Sequence, residues 1–223
     1  MVKNFSYDVK EIISNFAVEG EYFDHCSYGE GHINDTFLVE MIELGNIKKY
    51  ILQRINNSLF TNIEGLMNNI DLVTSYCKKN ILKNGGDPNK ETLTVIKTKE
   101  GKNYYFDGNN YFRLFIFIEN SFSYQIVSTP LDFYNSAVAF GEFSALLDGF
   151  DASKLYDVIP LFHDTRNRYK NFLNSLEKDA FNRKEEVKKE INFVKNHAYL
   201  CPLIVDKIEN GTIPLRVTHN DTK

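Results

Sequence analysis

The chain has 223 residues, 43% hydrophobic and 25% charged, with 12 Gly, 5 Pro and a formal net charge of −4. This is the mix of a well-packed globular protein and excludes collagen-like, low-complexity and wholly disordered chains. The acidic balance supplies no overall basic field for nucleic acid or for an anionic membrane, so neither is an expected partner.

The first half reads mainly as strands. Glu21–Tyr28 and Thr36–Ile42 are alternating apolar runs around the turn Tyr28-Gly29-Glu30-Gly31-His32, and Lys49–Ile55 follows the turn residues Gly45-Asn46. Thr61-Asn62-Ile63-Glu64 reads as a capping box, with Thr61 as N-cap and Glu64 at N3. The helix it opens carries Ile63, Leu66, Met67, Ile70, Val73, Tyr76 and Cys77 on one face and stops before Gly85-Gly86. Thr92–Lys97, Asn103–Phe106 and Tyr111–Ile118 are rich in β-branched and aromatic residues, punctuated by Gly101 and by Asp107-Gly108-Asn109. Antiparallel strands joined by short turns fit this part.

From residue 129 the period is helical. Thr129, Pro130 and Asp132 give an N-cap, a proline at N1 and an acid at N3, and Gly149 marks the other end. Gly141 inside this helix costs about 1 kcal/mol against Ala, and close contact with another helix is its expected reason. A second helix from Asp164 is expected to bury Tyr169, Phe172, Leu173 and Leu176, and a third uses Val187, Ile191, Val194 and Ala198. A short piece at Leu203–Ile208 ends at Asn210-Gly211, and Ile213–Val217 reads as a strand running into Thr218-His219-Asn220-Asp221. The order suits a two-lobed α+β protein with its boundary near 119–128.

The longest apolar run, Tyr111–Ile118, is interrupted by Arg113 and falls short of the ~20 residues of a membrane span. Lys3, Asp8, Lys10 and Glu11 precede any apolar stretch of signal-peptide length. Cys26, Cys77 and Cys201 are odd in number and widely spaced, as expected of free thiols in a reducing cytoplasm.

Four features carry chemistry. A strand followed by His219-Asn220-Asp221 places a carboxylate where it can accept a proton from a hydroxyl; the same tripeptide also suits a plain turn. Gly29 and Gly31 let backbone N–H groups approach a phosphate, and equally serve an ordinary hairpin, with Asn34 and Asp35 to orient it. Gln53-Arg54 follows that hairpin, where phosphoryl-transfer enzymes place a cation, while a surface ion pair is Arg54's other role. Phe115–Asn120 is either a core strand or a connector whose backbone pairs with an adenine edge.

The order of these features is that of protein-kinase-like phosphotransferases. The runs Tyr28–Phe37 (YGEGHINDTF), Tyr50–Asn56 (YILQRIN), Ile159–Thr165 (IPLFHDT) and Arg216–Lys223 (RVTHNDTK) together resemble the aminoglycoside phosphotransferase/choline kinase superfamily. Within it, the chain is most similar to the N-acetylhexosamine 1-kinase-like branch.

The resemblance implies a protein-kinase-like two-lobe fold. Residues 1–119 would be an antiparallel-sheet nucleotide lobe with one main helix, and 120–223 an incomplete, mainly helical lobe ending at the catalytic loop. It implies ATP-dependent phosphorylation of a small-molecule hydroxyl, on a sugar or amino sugar. Gly29, Gly31 and Asn34 become nucleotide-loop residues, Gln53 or Arg54 the phosphate contact with Asn69 as its helix partner, and Ile116, Phe117 and Ile118 the adenine connector. Asp221 becomes the base, with His219 a scaffold for its loop and Lys223 beside the transferring phosphate, while His163, Asp164 and Arg168 reach the sugar. An N-cap and a surface charge account for these last three equally well. The family pattern continues after Asp221 into an asparagine and an aspartate that hold Mg²⁺, and the sequence stops at Lys223. The metal ligands are therefore none among these residues. The expectation is a truncated kinase-like chain with negligible activity, or a non-catalytic nucleotide-binding or interaction module.

Overall fold

Alternation in the first half does produce strands. β1 (Glu21–Ser27), β2 (Asp35–Glu43), β3 (Asn46–Ile55), β4 (Val95–Ile96), β5 (Tyr105–Phe106) and β6 (Tyr111–Ile116) form one antiparallel sheet. Their order is β1-β2-β3-β6-β4, with β5 also paired to β6. The computed structural model describes residues 7–29, 31, 33–121 and 126–218. The architecture of those residues is α+β, with this sheet and seven α-helices.

The β2–β3 hairpin turns on Leu44 and Gly45, with φ of 48° and 80°. Two successive positive φ values make the turn whose twist matches the flanking strands. It lies one residue before the expected Gly45-Asn46, because Glu43 pairs with Asn46.

The sheet has two different faces. On one, Phe37, Val39 and Met41 of β2, Tyr50 and Leu52 of β3, and Phe112 and Leu114 of β6 are all buried. They are covered by Val9, Ile12 and Ile13 of α1 (Val9–Ile13) and by Phe16. At roughly 1.5–3 kcal/mol for each large apolar side chain buried, this cluster is the main stabilising element of the sheet. The other face carries Ile51, Gln53 and Ile55 opposite Phe115, Arg113 and Tyr111.

One end of that second face is closed by a helix. Ile63 and Met67 of α2 (Ile63–Lys83) bury Ile55 there. The N-cap of α2 is Asn62, whose side chain accepts the Gly65 N–H at 2.8 Å. The expected Thr61/Glu64 box is thus displaced by one residue: Asn is at least as good a cap as Thr. Gly65 leaves it room, since a Cβ there would lie 2.5 Å from Asn62 Nδ2. A short helix, α3 (Pro88–Glu91), fills a stretch where the sequence pattern predicts no element, and the expected strands at 92–97 and 103–106 shrink to the two-residue β4 and β5.

α4 (Pro130–Leu146) begins with the expected box: Thr129 Oγ1 accepts the Asp132 N–H and Asp132 accepts the Thr129 N–H. It returns to α2, with Phe143, Leu146 and Leu147 against Cys77 and Ile81, a cluster that Val217 joins. Tyr76 donates to the Asp148 carbonyl at 2.7 Å and Asn80 to the Leu146 carbonyl at 2.9 Å. These ties keep 130–158 with the sheet. The chain accordingly divides into one unit up to Val158 that resumes at Val217, and a second, Ile159–Arg216, a division different from the one expected near residue 119. Among the described residues a Cβ at Gly141 would meet nothing within 4 Å, so the helix contact expected of it is not seen there.

The second unit holds α5 (Thr165–Lys178), α6 (Lys188–Asn196) and α7 (Leu203–Glu209). Arg166 ties α5 to α7 through Asp206 at 3.1 Å and Glu209 at 3.0 Å. None of its described residues is buried: Tyr169, Phe172 and Leu176 are half-exposed and Leu173 more so, against the expected buried face. Residues 213–217 form no strand, because no partner edge pairs with them among the described residues. Among the described residues no helix is long and apolar enough to cross a membrane.

Candidate functional site

Strand alternation decides which of Gln53 and Arg54 is available to a ligand. Successive residues of β3 point to opposite faces. Arg54 lies on the α1 side, where its Nε–H donates to Asp35 at 2.6 Å. Tyr7 donates to the same carboxylate at 3.3 Å. Arg54 is thus engaged in a largely buried ion pair on the α1 face. Gln53 points the other way. It donates to Thr36 Oγ1 at 3.0 Å and accepts from Arg113 Nε at 3.0 Å.

On this face the sheet forms a cavity of about 240 Å³, lined by Tyr28, Ile51, Gln53, Leu93, Phe115, Ile116, Phe117, Ile118 and Ser121. Its walls are apolar and aromatic. Tyr28 meets Phe117 edge to face, with centroids 5.8 Å apart. Lys49 sits over the Phe117 ring at 5.9 Å and Arg113 over the Phe115 ring at 5.3 Å. The volume is below the ~300–1,000 Å³ of whole-ligand pockets and suits one planar ring system rather than a complete nucleotide.

The connector is more committed than its sequence implies. Ile116 N–H bonds to the Thr94 carbonyl at 3.0 Å and Phe117 N–H to the Lys49 carbonyl at 3.1 Å, both within the sheet. The Ile118 carbonyl accepts from Ser121 Oγ at 2.5 Å. Among the described residues, the Ile118 N–H is left with no acceptor. Of the three connector residues, Ile118 is therefore the one whose backbone donor is open to a ligand.

Lys49 and Arg113 are cations of this face, and Arg113 is the one beside Gln53. Its guanidinium is half-buried, and loss of hydration pulls its pKa down to about 10, so it stays protonated at neutral pH. Among the described residues no carboxylate pairs with it. Sequence patterning marks Arg113 as the one charge in an apolar run, but its role appears only when β3 and β6 are placed side by side.

The hairpin residues are distributed differently from expectation. Gly29 has φ of 75°, a left-handed conformation that explains its glycine. Neither Gly29 nor Gly31 lines the cavity. Asn34 Oδ1 accepts the Asn56 N–H at 3.0 Å, fastening the hairpin base to the end of β3. Asn69 exchanges two hydrogen bonds with the Tyr156 backbone, each 2.8 Å, and is not a partner for Gln53.

In the second unit Asp164 accepts the Asn167 N–H at 2.9 Å and caps α5. That bond comes first in holding its carboxyl below the usual range, ahead of the Arg166 charge. Arg168 donates to the Phe162 carbonyl at 2.6 Å and covers the Phe162 ring, with His163 edge-on to that ring. The structure brings His163 and Arg168 together around Phe162 and gives Asp164 to the helix. Asp221 and Lys223 lie outside the described residues. Among the described residues no group of three His, Cys, Asp or Glu side chains is placed to hold a metal ion.

Two larger cavities of the first unit, about 590 and 780 Å³, are lined by Asp8, Glu11 and Asp107, and by Glu91, Glu142 and Asp148. Carboxylates outnumber cations in both linings, with Lys83 the one cation of the larger cavity, a balance unfavourable to a polyphosphate. No protein-family model matches the chain.

Proposed function

We propose that the sheet unit binds the adenine ring of ATP and belongs to a phosphotransferase that phosphorylates a small-molecule hydroxyl, with a sugar or amino sugar as acceptor. One observation carries the nucleotide half of this reading. The 240 Å³ apolar cavity is bounded by the connector 116–118, with the Ile118 N–H open beside it and a cationic group two residues before Phe115 on the same strand face. An apolar slot, one open backbone donor and an adjacent cation are what a base attached to phosphates requires. The acceptor and the role of Asp221 as base rest on the sequence runs Phe162–Thr165 and His219–Asp221.

Titration of the 223-residue chain with a fluorescent N-methylanthraniloyl ATP, competed by ATP and by adenosine, tests the reading. Saturable binding displaced by both supports it. Binding that is absent at millimolar ligand overturns it.

A second reading is favoured by a specific observation. Gln53 is neutral and Asn69 is engaged with Tyr156, so no lysine–glutamate-type ion pair spans β3 and α2 at these positions. The unit then serves as a nucleotide-binding or interaction module without catalysis. ADP release in the presence of Mg²⁺ and a panel of amino sugars separates the two.

A further inference from the structure

Arg113 lies directly across from Gln53 in the β3–β6 ladder, on the same face as Ile51 and Phe115 of the cavity. Its Nε–H donates to the Gln53 side-chain carbonyl at 3.0 Å and its Cζ lies 5.3 Å from the centre of the Phe115 ring. Those two contacts occupy one of its five N–H donors. Among the described residues both Nη groups lack an acceptor, yet neither is sealed from solvent.

This arrangement is costly without a ligand. A guanidinium stripped of part of its hydration needs a counter-charge, and none is provided among the described residues. The contact with Phe115 and the bond to Gln53 restrict the rotation of the guanidinium, so the Nη end of the fork is held as a donor edge. A planar fork of this kind matches the oxygens of a phosphate.

We infer that Arg113 is the phosphate-recognising residue of this site, binding the phosphates of a nucleoside di- or triphosphate through its Nη groups while Gln53 acts as the positioning residue that aims it. The inference rests on the nucleotide reading and deepens it: the cation comes from the strand beside β3, and the neutral side chain at position 53 becomes its support. Specificity then divides in two, with the cavity reading the base and Arg113 reading the charge.

The experiment measures dissociation constants of adenosine, ADP and ATP for the 223-residue chain and for Arg113→Gln, at two salt concentrations, by isothermal titration calorimetry. Arg113→Gln is expected to weaken ADP and ATP by roughly tenfold to a hundredfold, the scale of lost charge-assisted hydrogen bonds, and to leave adenosine unchanged. Free inorganic phosphate is expected not to compete at millimolar concentration, since the base supplies part of the affinity; competition by phosphate alone would assign the site to simple anions and overturn the inference. Equal losses for adenosine and ATP, or none for ATP, would also overturn it while leaving the nucleotide reading standing. Failure of the unsubstituted chain to bind adenosine and ATP overturns both. Circular dichroism melting checks the fold of the variant. If Arg113→Gln does not fold, Arg113→Lys decides: a point charge in place of the fork selectively weakens ATP over adenosine, and an unchanged ratio rejects the inference.

Discussion

Arg54 and Asp35 share a hydrogen bond of 2.6 Å on the α1 face of the sheet, while the neighbouring Gln53 faces the cavity. Two adjacent residues of one strand thus serve different structures: one braces the core, the other borders a ligand site.

Arg54→Ala is expected to cost about 3 kcal/mol in urea unfolding, because it removes the cation from a largely buried carboxylate. The affinity for ATP is expected to stay unchanged. A selective loss of ATP binding with normal stability would return Arg54 to the phosphates.

The open donor of the connector gives a second prediction. Ile118→Pro deletes an N–H that no sheet bond uses, and is expected to weaken adenosine by about tenfold with the melting temperature nearly unchanged. Ile116→Pro, which breaks the bond to Thr94, is expected to destabilise the sheet instead. Equal effects on adenosine and on an unsubstituted ribose nucleoside lacking a purine would place the base elsewhere.

Helix caps separate the sequence pattern from the structure. Asn62→Ala is expected to cost about 1 kcal/mol in stability, whereas Thr61→Ala stays within about 0.5 kcal/mol. Gly141→Ala is expected to stabilise by about 1 kcal/mol, since its added methyl meets no neighbour within 4 Å in the helix. Chemical denaturation of the three variants reads these values, and a loss in Gly141→Ala would reveal a contact at that face.

Alkaline pH supplies a fourth. Burial, reinforced by the hydrogen bond it donates to Glu43 at 2.6 Å, pushes the Tyr50 phenol up to about 12. In the unfolded chain the same phenol ionises near 10. The neutral phenol is favoured by folding, so its contribution is complete below about pH 10 and is lost between about 10 and 12, up to about 3 kcal/mol. Ultraviolet titration at the phenolate band is expected to lose its latest-titrating tyrosine in Tyr50→Phe, while the raised Tyr7 and Tyr22 remain. A normal titration in both chains would contradict the burial of Tyr50.

Much of the first unit is legible in the chain order. Period-two alternation at 36–42 and 49–55, turn residues at 44–46, and the proline-and-acid start at Thr129 each act within a few residues, so local chemistry is enough to declare them. The second unit is less legible: its helices appear where periodicity puts them, yet their apolar faces remain half-exposed, because burial depends on which surfaces meet and not on the spacing of side chains.

The candidate site divides in the same way. The apolar run 111–118, its lone arginine, the hairpin glycines and the Gln53-Arg54 pair are properties of the sequence itself. Which of that pair faces the cavity, that Ile118 keeps an N–H unpaired among the described residues, and that Arg113 stands beside Gln53 were decided only when β2, β3 and β6 came into register. Cross-strand neighbours are separated by 60 positions in the case of Gln53 and Arg113, and hydrogen-bonded pairing, not proximity along the chain, brings them within 3.0 Å.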